Sequence, residues 1–197
     1  MSKPLPILAV AAMLAIAAPV AAGNKLIPAG QRVAVAKSAM TVMPGVEWNK
    51  LGARPGRNSE SWTQDGDDLD ELTFYGGIES GKPLFREADK KNQPLPKVSA
   101  TMLITDIPVL LENSYRIFLS AASVKIDGIE PIAFAGTKGV RFTYHFSKQN
   151  ETLQRRGEAR GAMVGGKLYM VTYEAPSLYY YDRSVGAARV VADSVKM

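Results

Sequence analysis

The strongest constraint on the fold is a run of alternating apolar and polar residues late in the chain. The apolar members are Val140, Phe142, Tyr144 and Phe146, and the polar members are Arg141, Thr143, His145 and Ser147. A period of two residues is typical of a β-strand that buries one face and exposes the other. The chain therefore builds a sheet with an apolar core on at least one side.

Two further strands follow and predict an antiparallel meander. They span residues 153–164 and 167–174. Gly165 and Gly166 between them permit a two-residue hairpin, because glycine accepts the positive φ that such turns need. A turn of this length also fixes which residues face each other. The predicted cross-strand pairs are Arg160 with Val171, Glu158 with Tyr173, and Ala162 with Tyr169.

Two helices are predicted beside this meander. Asp106 is a candidate N-cap of the first, and Leu111 and Tyr115 follow at helical spacing. The second closes the chain and cannot hold its apolar face in water alone, so it must dock on the sheet. That face consists of Tyr181, Val185, Ala188, Ala192 and Val195. With short strands expected over residues 61–64 and 69–75, the order of elements predicts an α+β fold, with helices packed on an antiparallel sheet.

The first residues predict a secretion signal. Lys3 is followed by an uncharged apolar stretch, which ends in small residues before Gly23. A charged start, a short apolar run and a small-residue exit are typical of a signal peptide cleaved, here, between Ala22 and Gly23. The run is shorter than the ~20 apolar residues that span a membrane, so no transmembrane anchor is expected after processing. We therefore expect residues 1–22 to be removed and the protein to be periplasmic or secreted.

Composition predicts one domain over residues 23–197 and limits the classes of partner. The chain has 197 residues, 46% of them hydrophobic and 22% charged, which is ordinary for a globular protein. It has no cysteine, so packing alone must hold an exported fold. The formal net charge of +5 falls to +4 without Lys3, and the basic residues are scattered. This argues against a nucleic-acid partner and leaves an envelope protein or a small ligand.

Two segments of this domain lack a periodic pattern. Residues 23–31 are expected to be a flexible start. Residues 81–99 contain Pro83, Pro94 and Pro96 in a polar context and predict a long surface loop. Long loops in compact domains are often functional or mobile, so this loop is a candidate contact surface.

The last third of the chain resembles the PsbP-like group, which includes extrinsic photosystem proteins and exported bacterial proteins of unknown role. The resemblance depends on the strand of residues 140–144, the Gly-Gly hairpin, the strand of residues 166–172 and the final helix with Ser194-Val195. It implies an α/β/α sandwich that acts as an assembly or binding module. The earlier half departs from the usual glycine-tryptophan opening of the group, because two residues separate Gly45 from Trp48. No functional residue is carried over, since no functional motif matches.

One sheet face is a candidate ligand surface. The predicted register places Tyr169 and Tyr173 beside the guanidinium groups of Arg156 and Arg160, with Glu158 between them. Such a face can bind an anionic or aromatic ligand through ion pairs and cation–π contacts. The alternative is a cross-strand ladder that stabilises the sheet.

An acidic turn is the candidate metal site. Asp65, Asp67 and Asp68, with Asp70 and Glu71 close behind, supply the oxygen ligands that calcium prefers. The spacing does not match an EF-hand loop. The alternative is a solvated turn between two strands.

His145 is the single histidine of the chain and the candidate for catalysis. A general base needs an orienting carboxylate, which Glu158 on the neighbouring strand could supply, and a nucleophile. The chain shows no nucleophile elbow, no zinc-ligand cluster and no thiol. No enzymatic activity and no cofactor are therefore expected.

The sequence thus favours an exported, non-enzymatic binding or assembly module of the bacterial envelope. Two alternatives stay open. One is a carrier of a lipid or another hydrophobic ligand, held between sheet and helix. The other is a hydrolase with a non-standard site around His145.

Overall fold

A computed structural model describes residues 23–149 and 151–197. The predicted signal peptide, with Ala22 of its cleavage site, lies outside the described residues. Within them, no helix is long and apolar enough to cross a membrane.

The described residues form one large antiparallel sheet, a small two-stranded sheet and two α-helices. The strands are β1 (Lys25–Ile27), β2 (Val33–Ala34), β3 (Thr41–Val42), β4 (Trp48–Lys50), β5 (Ser59–Thr63), β6 (Glu71–Ile78), β7 (Ala121–Phe134), β8 (Thr137–Lys148), β9 (Arg155–Val164) and β10 (Lys167–Pro176). The helices are α1 (Asp106–Phe118) and α2 (Tyr180–Asp193). The large sheet has the order β1-β4-β5-β6-β10-β9-β8-β7, and β2 pairs with β3.

The two helices cover opposite faces of the large sheet, and each closes a separate core. On one face, Tyr115 of α1 packs with Phe142 and Phe146 of β8. On the other, Tyr181 and Val185 of α2 pack with residues of β6 and β10 and with Trp48 and Trp62 of the N-terminal strands. The alternation along β8 to β10 makes this possible, because successive side chains point to opposite faces. The predicted α+β fold, an α/β/α sandwich, is confirmed.

The meander has the predicted register. Arg160 lies opposite Val171, Glu158 opposite Tyr173, and Ala162 opposite Tyr169. The hairpin turns at Gly165 and Gly166, whose φ angles are 57° and 74°. Residues with side chains adopt such angles rarely, so the two glycines place the turn and with it the register.

Strand β7 was not predicted from the sequence. It is a 14-residue edge strand in which Val124 and Phe134 are buried while most other residues are exposed or half-exposed. Its pairing with β8 is also irregular around Gly128, and it contains Pro131. Residues 127–131 of this edge strand are exposed on both faces and show no period of two, and the proline is tolerated because one edge is unpaired.

Two predictions about loops need correction. Residues 23–31 are not simply a flexible start, because Lys25–Ile27 pair with β4 and bring Trp48 into the core. Residues 81–99 lack helix and strand as predicted, but they do not lie wholly on the surface: Leu84, Phe85, Leu95 and Val98 are buried against α1 and the sheet. Short strands and single buried anchors leave no periodic pattern, which is why the sequence did not reveal them.

The helices begin and pack close to the predicted positions. The N-cap of α1 is Thr105 and not Asp106, whose carboxylate accepts a hydrogen bond from the Leu103 backbone N–H at 2.9 Å. α2 buries Tyr181, Val185 and Ala188 as its periodicity predicts.

Candidate functional site

The face predicted to bind a ligand lies beneath α2 and is not open. Glu158 and Tyr173 are 5% and 3% exposed. A gap of about 10 Å³ is all that remains where they meet α2. The geometry therefore favours the alternative, a ladder of charged and aromatic residues that stabilises the sheet against the helix.

Glu158 is the centre of this buried ladder. Arg141 donates to its Oε2 at 2.7 Å, and Arg189 of α2 donates to the same oxygen at 2.8 and 3.0 Å. Arg160 lies 3.4 Å from Oε1 and also pairs with Asp193 of α2. Burial alone would raise the pKa of Glu158, but the hydrogen bonds from Arg141 and Arg189 outweigh it and lower the pKa. The carboxylate is thus an anionic clamp between sheet and helix.

Arg156 and Tyr169 lie at the margins of the same face. The Arg156 guanidinium stacks 4.3 Å from the centre of the Tyr181 ring and lies 3.3 Å from Asp182 of α2. Tyr169 packs beside the core on the α2 face. Both residues therefore contact other parts of the chain, in the way expected of a helix–sheet interface.

The acidic turn does not assemble a metal site. Asp70 accepts hydrogen bonds from the Thr63 hydroxyl at 2.6 Å and from the Asp65 backbone N–H at 2.8 Å, while Asp65 pairs with Arg183 at 3.2 Å. No group of three acidic or histidine side chains in the described ranges could hold a metal ion, so Asp65, Asp67 and Asp68 do not converge. Asp70 closes the turn by capping its N–H groups, as the alternative reading held.

His145 pairs with Asp127 of β7 and not with Glu158. Nδ1 lies 2.9 Å from Oδ1 and 3.0 Å from Oδ2 of Asp127. Glu158 is occupied by three arginines and cannot orient this imidazole. Within the part of the chain that the structure describes, the histidine makes no hydrogen bond to a serine or threonine hydroxyl.

An open groove lies along the irregular segment of residues 81–99. Its volume is about 530 Å³, and its wall includes Ile78, Pro83 and Phe85. Two of its lining residues are acidic, Glu79 and Glu87. Four are basic: Arg57, Lys82, Arg86 and Lys90. The four basic side chains are exposed.

Both acidic residues of this groove are already engaged. Glu79 forms an ion pair with Lys167 at 2.9 Å, and Glu87 accepts a hydrogen bond from the Leu95 backbone N–H at 3.3 Å. With four basic and two acidic residues in its lining, the groove carries a net positive charge. Sequence reasoning pointed to the segment but not to its charge, because folding brings Arg57 to it from a separate turn.

A second group of functional interest surrounds Glu174 on the α1 face. Its Oε2 accepts hydrogen bonds from the hydroxyls of Tyr115, at 2.6 Å, and Tyr144, at 3.2 Å. Burial raises the pKa of Glu174 to about 7, and the charge of Glu71 adds to this effect, while the two tyrosines and Arg155 oppose it. Perturbed carboxyls at cavities are a physical sign of function.

Gly157 makes the contact with Tyr144 possible. It lies between Tyr144 and Glu174 in the sheet register. A Cβ at this position would clash with the Tyr144 ring, so the absent side chain lets the ring lie across β9 and reach the carboxylate. The sequence did carry a signal for this site: Glu174 falls on the same face of its strand as the buried Met170 and Thr172.

Comparison with known proteins shows the fold and nothing finer. No family model matches the chain, and no curated protein matches it. The solution structure of cyanobacterial PsbP (CyanoP) from Synechocystis sp. PCC 6803 is similar, with 16% identity, 87% of this chain and 94% of that chain covered, and a TM-score of 0.56. The PsbP-like fold therefore extends over 87% of the chain and is not limited to its last third.

A second solved structure aligns over similar lengths. It is LpqN, involved in cell envelope biogenesis of Mycobacterium tuberculosis, with 9% identity, 88% of this chain and 90% of that chain covered. The TM-score is 0.30.

Proposed function

We propose that the chain is an exported, non-enzymatic binding module of the bacterial envelope, and that its groove along residues 81–99 holds an acidic segment of a partner protein. The observation that carries the proposal is the charge of the groove. Four exposed basic side chains line it against two acidic ones, of which Glu79 forms an ion pair with Lys167. Charge complementarity of this kind steers a partner and sets its orientation.

The construction of the groove supports a binding role. Leu84 and Phe85 anchor the segment in the α1 core, and the backbone N–H of Arg86 donates to the Pro55 carbonyl at 2.9 Å. The basic side chains therefore project from a segment that is fixed at both ends, since the Gly81 N–H also donates to the Val98 carbonyl at 2.9 Å. A preformed surface loses less entropy on binding than a mobile loop.

Two further observations support the non-enzymatic and exported parts of the proposal. His145 pairs with the Asp127 carboxylate, and among the described residues it makes no hydrogen bond to a serine or threonine hydroxyl. The N-terminal sequence has the charged start, apolar run and small-residue exit of a secretion signal. The PsbP-like fold is compatible with an envelope protein but does not by itself assign a role.

Site-specific photocrosslinking in the native host tests the groove. A photoreactive residue at Ala88, exposed in the segment, is compared with one at Ala133, exposed on β7. We expect a protein adduct at Ala88 and none at Ala133, with the crosslinked site in an acidic segment of the partner.

A matched pair of charge reversals then separates groove electrostatics from net charge. Lys82→Glu with Lys90→Glu changes the groove, and Lys125→Glu with Lys138→Glu makes the same change on exposed positions of β7 and β8. The groove pair should abolish the adduct and the control pair should preserve it. Equal adduct yields from the two double variants would overturn the proposal, as would equal adducts at Ala88 and Ala133.

A further inference from the structure

A cavity of about 310 Å³ lies beside Glu174, between the α1 face of the sheet and the C-terminal end of α1. Its wall includes the aromatic side chains of Tyr75, Phe85, Tyr115 and Phe118. Phe85 and Phe118 stack with ring centres 4.2 Å apart, and Tyr75 meets the edge of Phe85 at 5.9 Å. Volume and lining are those of a small-molecule site.

Glu174 is a buried acidic residue in the wall of this cavity. It is 9% exposed, and its Oε2 takes the hydrogen bonds of both tyrosines. No described residue donates to its Oε1, although the residue lines the cavity. This oxygen is accessible from the cavity, so a bound group can reach it. A ligand that donates a hydrogen bond or carries a positive charge would satisfy it.

The charges of the surrounding elements indicate which ligand fits. Glu71 of β6 lies directly across from Glu174 in the register. Asp67 and Arg54 also line the cavity, so three carboxyl groups face one guanidinium. Arg155 donates to the Asp68 carbonyl oxygen at 2.5 Å and reaches Glu174 through its field alone. The cavity therefore carries a net negative charge when Glu174 is ionised.

We propose that this cavity binds a small organic ammonium ion, with the positive nitrogen at Glu174 and Glu71 and its carbon groups against the aromatic rings. Aromatic faces attract ammonium groups through their quadrupole, and an adjacent carboxylate adds a direct ion pair. The inference is independent of the proposed partner protein, because the groove and the cavity share Phe85 but none of their charged residues.

Benzyltrimethylammonium is the probe, added to the purified full chain and followed by calorimetry and by NMR of the aromatic side chains. Benzoate and benzyl alcohol serve as anionic and neutral controls of similar size. We expect saturable shifts at Tyr115 and Phe118 with the cation alone. Equal or tighter binding of benzoate, or no saturable shift at these two residues, would overturn the inference.

Variants and pH sharpen the test. Glu174→Gln should weaken binding of the cation about tenfold, Phe118→Leu about threefold, and Glu130→Gln, on the opposite edge of the sheet, not at all. Binding to the natural chain should be about tenfold weaker at about pH 5.5 than at about pH 8, because Glu174 is then protonated. Glu174→Gln should remove most of this pH dependence. The other charged or titratable residues around the carboxyl group are Glu71, Asp67, Tyr75, Tyr115, Tyr144, Arg54 and Arg155. Unchanged affinity in Glu174→Gln would contradict the proposal.

Discussion

Two buried glutamates on neighbouring strands behave in opposite ways. Glu158 of β9 faces α2, and Glu174 of β10 faces α1; they are 5% and 9% exposed. The pKa of Glu158 is lowered, whereas the pKa of Glu174 is raised to about 7. Both carboxyl groups are removed from most of the solvent, yet their pKa values shift in opposite directions: burial dominates at Glu174, and the hydrogen bonds from arginines outweigh it at Glu158.

The hydrogen-bond donors and the charges around the two carboxylates differ. Glu158 receives hydrogen bonds from the cationic side chains of Arg141 and Arg189. Glu174 receives neutral hydroxyl donors and faces the negative charge of Glu71 across the strand pair. The α2 interface is thus closed and compensated, while the α1 interface retains a cavity and an uncompensated acid. The first arrangement is suited to holding a helix, and the second to binding a ligand.

Removal of Glu158 should have the largest effect. Glu158→Ala leaves Arg189 without its carboxylate beneath α2, and we expect a loss of about 3 kcal/mol of unfolding free energy. Urea unfolding measures it. Glu130→Ala is the matched control, because Glu130 pairs with the same Arg141 at the same 2.7 Å but is 54% exposed. The control should lose less than about 1 kcal/mol. Equal losses would remove the distinction between a buried clamp and a surface pair.

Glu174→Gln should increase the free energy of unfolding, in contrast to Glu158→Ala, and it should do so only at higher pH. The pKa of Glu174 is about 7 in the folded state against 4.5 for the ordinary group. Its ionisation therefore costs folding free energy, and the stability present at low pH is lost as the pH rises through about 7. Neutral glutamine should leave stability near the natural value at about pH 4 and raise it by up to roughly 3 kcal/mol at about pH 8.

Urea unfolding of the glutamine variant and the natural chain at both pH values tests the sign. A variant less stable than the natural chain at the higher pH would mean that ionised Glu174 is compensated, like Glu158. The pH dependence of stability that Glu158 contributes has the opposite sign. Its pKa is lowered in the folded state, so the stability that it supplies is lost as the pH falls from the ordinary pKa of a glutamate through this lowered pKa.

Tyr115→Phe tests which tyrosine hydroxyl stabilises the ionised form of Glu174. It removes the shorter of the two hydroxyl hydrogen bonds, at 2.6 Å. We expect a further rise in the pKa of Glu174 and a loss of about 1 to 2 kcal/mol at about pH 8. Tyr144→Phe, which removes the bond at 3.2 Å, is the control and should have the smaller effect on both. A larger pKa change in Tyr144→Phe would show that the carboxylate depends on the other tyrosine.

Asp182→Asn should have the smallest effect. The Arg156–Asp182 pair belongs to the α2 interface but is 49% and 74% exposed. We expect a loss of about 0.5 kcal/mol in urea unfolding, from the weak pair and the first-turn position of Asp182. A loss as large as that of Glu158→Ala would place the clamp at the margin of the interface instead of at its centre.

The sequence was informative where side-chain period and turn chemistry agree. The alternation in β8 and the two hairpin glycines predicted three strands and their register, and Glu158 was identified as a candidate by that register. The sequence pattern did not reveal β7, because residues 127–131 are exposed on both faces and lack the two-residue alternation. It did not reveal β1, because three residues are too few to show an alternation. Residues 81–99 could be identified as irregular, but their buried anchors could not.

The candidate sites depend on contacts between distant parts of the chain. Glu174 owes its pKa to burial beneath α1 and to Tyr115, which lies 59 positions earlier in the chain. The basic groove needs Arg57 beside Lys90. Neither juxtaposition has a local sequence pattern, because a helix crossing and a loop path determine them. Even so, a charged residue on the core-facing side of β10 was visible in the sequence.

The two buried glutamates differ in that Glu158 is compensated by arginines and Glu174 is not. A pH titration of the glutamate side-chain carboxyl carbons by NMR, with Glu174→Gln and Glu158→Ala to assign the signals, measures both directly. We expect a midpoint near 7 for Glu174 and one below 4.5 for Glu158. A common midpoint for the two groups, or a Glu174 midpoint at or below its ordinary value, would contradict it.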